Sequence, residues 1–224
     1  MIIAIDGPAG AGKGTLADRL ANHFGFAKLD TGLLYRAVGM KVLRGGSDPG
    51  NEALATQIAV GLQASDLDDV ASLRSDEAGN AASRVAGYTG VRAALLDFQR
   101  DFAANPPGGA KGSILDGRDI GTVVCPDAEI KLYITAPLEV RAQRRLKELL
   151  DRDREAIYAR VFEDMKVRDE RDQQRSAAPL AQASDAYLLD TTGFDADGVF
   201  AVALEYISSK TKPGNRKIPK RPNF

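Results

Sequence analysis

An α/β domain with a five-stranded, mainly parallel sheet flanked by helices is the fold class this sequence predicts. Three observations predict it. Five short apolar runs, Ile2–Asp6, Ala27–Asp30, Ser113–Asp116, Ile130–Thr135 and Tyr187–Asp190, have the length of buried strands. Segments with helical spacing alternate with them: Lys13–Phe24, Leu33–Leu43, Val91–Phe102, Leu138–Leu150, Ile157–Arg168 and Ala196–Ser208. A glycine-rich turn separates the first strand from the first helix.

The opening run, Met1-Ile-Ile-Ala-Ile-Asp6, lacks a basic lead and is too short for a signal-peptide core, so it reads as a buried strand. In the helix that follows, Leu16, Leu20 and Phe24 share one face with Ala17 and Ala21. Gly45 to Asn80 carries no strand pattern and is acidic at Asp66–Asp69. It reads as a helical insertion. The stretch 151–174 is crowded with both charges, as in a solvated helix or a mobile cover over a phosphate site. The tail 210–224 is basic and contains prolines, and is expected to be disordered.

With 224 residues, 44% of them hydrophobic, the chain can bury one sizeable core, so a single domain spanning 1–224 is expected. Lys and Arg number 30 against 31 Asp and Glu, a balance with no overall pull toward nucleic acid or a membrane surface. No apolar run approaches the ~20 residues of a membrane span. The lone cysteine, Cys125, cannot form an intramolecular disulfide. It reads as a small core hydrophobe in a cytoplasmic protein. The lone histidine, His23, reads as structural or exposed rather than catalytic.

The turn after the first strand is Gly7-Pro8-Ala9-Gly10-Ala11-Gly12-Lys13-Gly14-Thr15. Glycines let a backbone bend around a polyphosphate with its N–H groups turned inward, and the helix N-terminus adds positive potential at the same place. Lys13 can then reach the β and γ phosphates. Strand, loop and helix fall where a P-loop demands them. The usual hydroxyl after the lysine is replaced by Gly14 and comes one place later, at Thr15. Thr15 is therefore expected on an ATP phosphate, with Mg²⁺ keeping most of its waters.

Arginines cluster at three further places. Thr31 and Arg36 follow the second strand, where Thr31 could cap a helix and Arg36 could hold an anion. Asp116-Gly-Arg118-Asp119 ends the third strand, the end at which open parallel sheets place ligands. Arg168, Asp172 and Arg175 lie in the charged stretch. Each cluster alone is commonly a surface salt-bridge run; together with the phosphate loop they suggest a second anionic substrate.

Four segments, Gly-Pro-Ala-Gly-Ala-Gly-Lys-Gly-Thr15, Leu29-Asp-Thr-Gly-Leu-Leu-Tyr-Arg36, Asp116-Gly-Arg-Asp-Ile-Gly-Thr-Val-Val124 and Arg168-Asp-Glu-Arg-Asp172, resemble the bacterial cytidylate kinases in their order along the chain. So does Asn80-Ala-Ala-Ser-Arg-Val-Ala86, followed by Arg92 and Arg100; the resemblance runs from about residue 2 to 207. It implies a P-loop kinase fold, with an acceptor-binding subdomain at about 36–105 and a lid at about 150–175. It implies that Ser83, Arg92 and Asp119 read cytosine, that Arg36, Arg118 and Arg175 bind the CMP phosphate, and that Arg168 and Asp172 lie near the sugar hydroxyls.

The implied reaction is transfer from MgATP to CMP or dCMP by a monomer. Asp116 could orient a magnesium-bound water, with no direct protein ligand to the metal. The phosphate loop by itself leaves open a kinase for UMP, AMP or another small acceptor, and a non-catalytic ATP-binding module.

Overall fold

The computed structural model describes residues 1–151 and 155–211. Among them, five strands form one sheet: β1 (Ile2–Asp6), β2 (Ala27–Asp30), β3 (Ser113–Gly117), β4 (Ile130–Thr135) and β5 (Tyr187–Asp190). The order is β2-β3-β1-β4-β5 and every neighbouring pair is parallel. β1 is central because Ile3, Ala4 and Ile5 have no exposed surface, which suits a strand covered on both faces. The core on one face joins Ile3, Ile5, Ile114, Ile130 and Leu132 to Leu16 and Leu20 of α1 (Lys13–Phe24) and to Val199 and Ile207 of α9 (Ala196–Thr211).

The segment 45–80 is helical, as its lack of strand pattern suggested. α2 (Thr31–Arg44) leads into α3 (Glu52–Val60), a 3₁₀ turn at Ala64–Leu67, α4 (Val70–Leu73) and α5 (Asp76–Val85); α6 (Thr89–Ala104) returns to the sheet. The start signals are local: Asn51, Asp69 and Ser75 each accept an amide hydrogen bond from the first turn of the helix that follows. The acidic run is thereby explained. Asp69 caps α4, and Asp66 receives the Lys41 ammonium at 2.7 Å. These helices bury Leu34, Val38, Val85, Val91 and Leu95 in a core of their own.

Beyond the sheet, α7 (Leu138–Leu150) packs against α8 (Tyr158–Gln174) through Ala142, Leu149, Val161 and Met165. α9 runs to Thr211, so the first two residues of the basic tail are helical rather than disordered, and 212–224 lie outside the described residues. Cys125 is buried, and burial pushes its thiol up to about 11, in keeping with a core role. His23 is exposed and meets Phe24 edge-on, with ring centroids 4.8 Å apart. Among the described residues no helix is long and apolar enough to cross a membrane.

Candidate active site

β1 delivers the chain into the glycine turn at the C-terminal edge of the sheet. Gly10 and Gly12 adopt φ of 74° and 95°, the left-handed region that lets the loop curl. At Gly7 a Cβ would fall 2.0 Å from the Ile134 carbonyl oxygen, so only glycine lets the loop leave beside β4. α1 begins at Lys13, and no side chain caps its first turn. Its end therefore presents backbone donors and positive potential to the cleft.

Lys13 is buried, and its ammonium donates to the Pro8 carbonyl at 2.9 Å. Burial, followed by the nearby Arg118 guanidinium, lowers its pKa to about 7. Nearby, Asp116, the penultimate residue of β3, pairs in register with Asp30 of β2. Burial and then the Asp30 charge push Asp116 upward, and its Oδ2 has no hydrogen-bond partner among the described residues. A cleft of about 610 Å³ opens here, with Lys13, Thr15, Asp116, Arg36, Arg118 and Arg168 on its walls.

A second, narrower cavity of about 50 Å³ is lined by Thr31, Ser83, Arg92, Asp119, Asp172 and Arg175. Arg118 and Arg168 line both cavities. The slot is narrow because its polar groups bond one another. Arg92 pairs with Asp119 and lies over the Tyr35 ring, 5.4 Å from its centroid. Ser83 Oγ donates to Asp172 Oδ1 at 2.8 Å, and Arg118 Nε donates to Asp172 Oδ2 at 3.2 Å. Burial alone would raise Asp172; Arg118 and Arg168 together hold it below the usual carboxylate value.

Among the described residues the cationic groups are under-partnered. Arg36 donates only to neutral carbonyls, Leu73 at 2.6 Å and Ser75 at 3.0 Å. Arg175 Nε donates to the Ala178 carbonyl at 2.7 Å, whereas its Nη2 is buried with no partner. Arg168 Nε is also buried without a partner; burial, then Arg118, lowers its pKa to about 9. Buried guanidinium edges of this kind imply an anion that completes them.

The residues selected from sequence thus divide between two cavities joined by Arg118 and Arg168: Ala9, Gly10, Gly12, Lys13, Gly14, Thr15, Arg36 and Asp116 line the larger, Thr31, Ser83, Arg92, Asp119, Asp172 and Arg175 the smaller, and Gly7, Pro8 and Ala11 line neither. One local reading needs correction: Thr31 does not cap α2. Asp30 holds the cap position, and Thr31, the first helical residue, donates instead to the Asp116 carbonyl at 2.8 Å. Its hydroxyl ties α2 to the end of β3.

Sequence reasoning missed two buried groups. Asp6 accepts from the amides of Ile120 and Gly121, each at 2.7 Å, and so fixes the π-helical turn Ile120–Val124 next to Asp119. A carboxylate ending an apolar strand was the available signal. Arg141 on α7 donates to the carbonyls of Ala136 at 2.8 Å and Ala9 at 3.1 Å, and pairs with Asp169 of α8 at 2.7 Å. In sequence it is one arginine among several on a charged helix, with nothing to mark it as interior.

The profile of the cytidylate kinase family matches residues 3–209. The chain belongs to that family. Among its relatives, cytidylate kinase of Paramagnetospirillum magneticum is 62% identical over 209 residues, covering 93% of this chain and 98% of the relative. Cytidylate kinase of Rhodospirillum rubrum is 53% identical over 212 residues, covering 95% and 99%. A solved structure of an uncharacterized protein from Eubacterium ventriosum superposes with a TM-score of 0.53 at 16% identity, covering 93% of this chain and 99% of that one; it supports the fold alone. The family match takes in both walls of the cleft, from the first strand into the last helix.

Proposed function

We propose that the chain transfers the γ-phosphoryl group of ATP to the phosphate of CMP or dCMP, giving ADP and CDP or dCDP. The carrying observation is the pair Arg118 and Arg168, which form a cationic wall common to the loop-lined cleft and the slot beside Asp119. An acceptor phosphate oxygen bonds to the γ-phosphorus while the bond to the β,γ-bridging oxygen breaks; that oxygen keeps the electron pair and leaves with ADP. The transition state is loose, so the protein contributes position and charge. No strong general base is needed, because the acceptor phosphate is already largely ionised near neutral pH.

In this reading Lys13 and the amides of Gly7–Thr15 hold the donor. Arg36, Arg118 and Arg175 hold the acceptor phosphate, and Arg168 and Asp172 serve the sugar. Asp119 accepts from the cytosine amine and Arg92 donates to its ring acceptors, which Ser83 would join by turning its hydroxyl from Asp172. Uracil would set an oxygen against Asp119, leaving buried groups unpaired. The orphaned Oδ2 of Asp116 beside the loop suits a hydrated divalent cation. Magnesium, when bound, would offset charge on the phosphates, with Asp116 accepting from its water.

Residues 36–105 act as the acceptor-binding subdomain and 150–175 as a lid that excludes water. We assign the activity to a monomer, as the family resemblance implies, acting on small molecules in the cytoplasm, in keeping with its balanced charge and lone buried cysteine.

The test is acceptor-dependent ADP release from ATP with CMP, dCMP, UMP and AMP side by side. CMP and dCMP should be turned over well above the others. Release with UMP or AMP but not with CMP would overturn the proposal. ATP binding without release for any acceptor would favour a non-catalytic module.

A further inference from the structure

We infer that Gly79 is a positioning residue for the acceptor nucleotide, acting through the guanidiniums of Arg36, on its phosphate, and Arg168, beside its sugar; the inference rests on the function proposed above. Gly79 is buried in the first half of α5. A Cβ built there would lie 3.0 Å from Arg168 Nη1 and 3.3 Å from Arg36 Nη2, with Arg36 Cζ at 3.6 Å. Two cations from different helices, α2 and α8, are thus seated on one bare patch of a third.

Their backing is otherwise thin. Among the described residues Arg36 is held only by the carbonyls of Leu73, which ends α4, and Ser75, which caps α5, and Arg168 Nε has no partner. With no fork–fork carboxylate to fix them, the surface they rest on decides where their donors point. Four residues further along each helix, Ser83 bonds Asp172 at 2.8 Å, so Gly79–Arg168 and Ser83–Asp172 form two successive rungs between α5 and α8. The second rung fixes the register, and the missing Cβ at the first sets how closely Arg168 approaches.

The position is hard to explain by backbone needs. Gly79 is helical and does not have a positive φ, so alanine would suit the helix better. A methyl group must instead push both guanidinium ends by a few tenths of an ångström. Bidentate contact with a phosphate tolerates little displacement.

The experiment is Gly79→Ala, measured for KM of CMP, KM of ATP and thermal midpoint. We expect KM for CMP to rise roughly tenfold, KM for ATP to stay within about twofold, and Tm to hold or rise by about 2–4 °C. In an Arg168→Ala background the same substitution should raise KM for CMP by less than it does alone, because only the Arg36 contact remains for the methyl group to displace.

An unchanged KM for CMP, or a rise accompanied by a fall in Tm, overturns the inference; the latter would mark Gly79 as a packing residue. If the unaltered protein fails to phosphorylate CMP, it is the proposed function that fails. Should the variant not fold, ¹⁵Nε resonances of the unaltered protein decide. Arg36 and Arg168 should shift together on CMP titration, and either one unmoved overturns the proposal.

Discussion

Replacing Asp119 by alanine perturbs two things that can be measured apart. Asp119 and Arg92 are an ion pair with side chains only 6% and 11% exposed. Removing one partner of a buried pair leaves the other uncompensated, at a cost of about 3–5 kcal/mol. Arg92 keeps the Ala86 carbonyl at 3.2 Å and the face of Tyr35, which argues for the lower figure, about 3 kcal/mol. For a chain of this size that is a fall in Tm of roughly 6–12 °C.

The second effect is on selectivity. The mutant loses one charge-assisted hydrogen bond to the cytosine amine, about 1.5–3 kcal/mol. The kcat/KM preference for CMP over UMP should then shrink by roughly 10–150-fold. Direct competition of the two acceptors, followed by separation of the diphosphates, measures the ratio. A lower Tm with an unaltered ratio would mean that Asp119 braces Arg92 and does not read the base. That outcome would refute the reasoning.

Two other perturbations probe the phosphate loop and the turn beside Asp119. Lys13→Ala should cut kcat by at least about 10²-fold, since a preorganised cation aimed at the moving charge is lost. It should leave Tm undiminished, because a buried ammonium lowered to about 7 adds little to folding, and near-normal turnover would exclude the role. Asp6 is raised from 3.8 to about 6 by burial, against the opposing pull of the Gly121 and Ile120 amides. A raised folded-state value means that the stability it contributes is full below about pH 4 and is lost as pH climbs through about 6, amounting to about 3 kcal/mol. The Tm of the unaltered protein should therefore fall relative to Asp6→Asn between those limits, and a constant difference would contradict the assignment.

Much of the fold is legible in the sequence because its signals are local. The strands are short apolar runs, ended by a carboxylate or glycine in every case but β4, which ends at Thr135, and no competing helical period obscures them. The insertion is harder. α3 and α4 are short, and their capping residues Asn51 and Asp69 sit in a stretch whose acidity looks at first like surface decoration.

The site divides in the same way. Residues carried by contiguous motifs, such as Lys13, Arg36 and Arg118 with Asp119, can be chosen from the chain alone. Residues whose importance comes from a distant neighbour cannot. Asp6 matters through amides more than 110 positions away, and Arg141 through Ala9, 132 positions away. Gly79 in an alanine-rich helix gives no hint that two guanidiniums rest on it.

The contacts of Arg141 bear on how the charged helix can move. Its guanidinium donates to the Ala9 carbonyl of the glycine turn and pairs with Asp169 of α8. That stretch of α8 is therefore moored to the turn, and any displacement of the helix at Asp169 would have to break a buried ion pair or carry the turn with it.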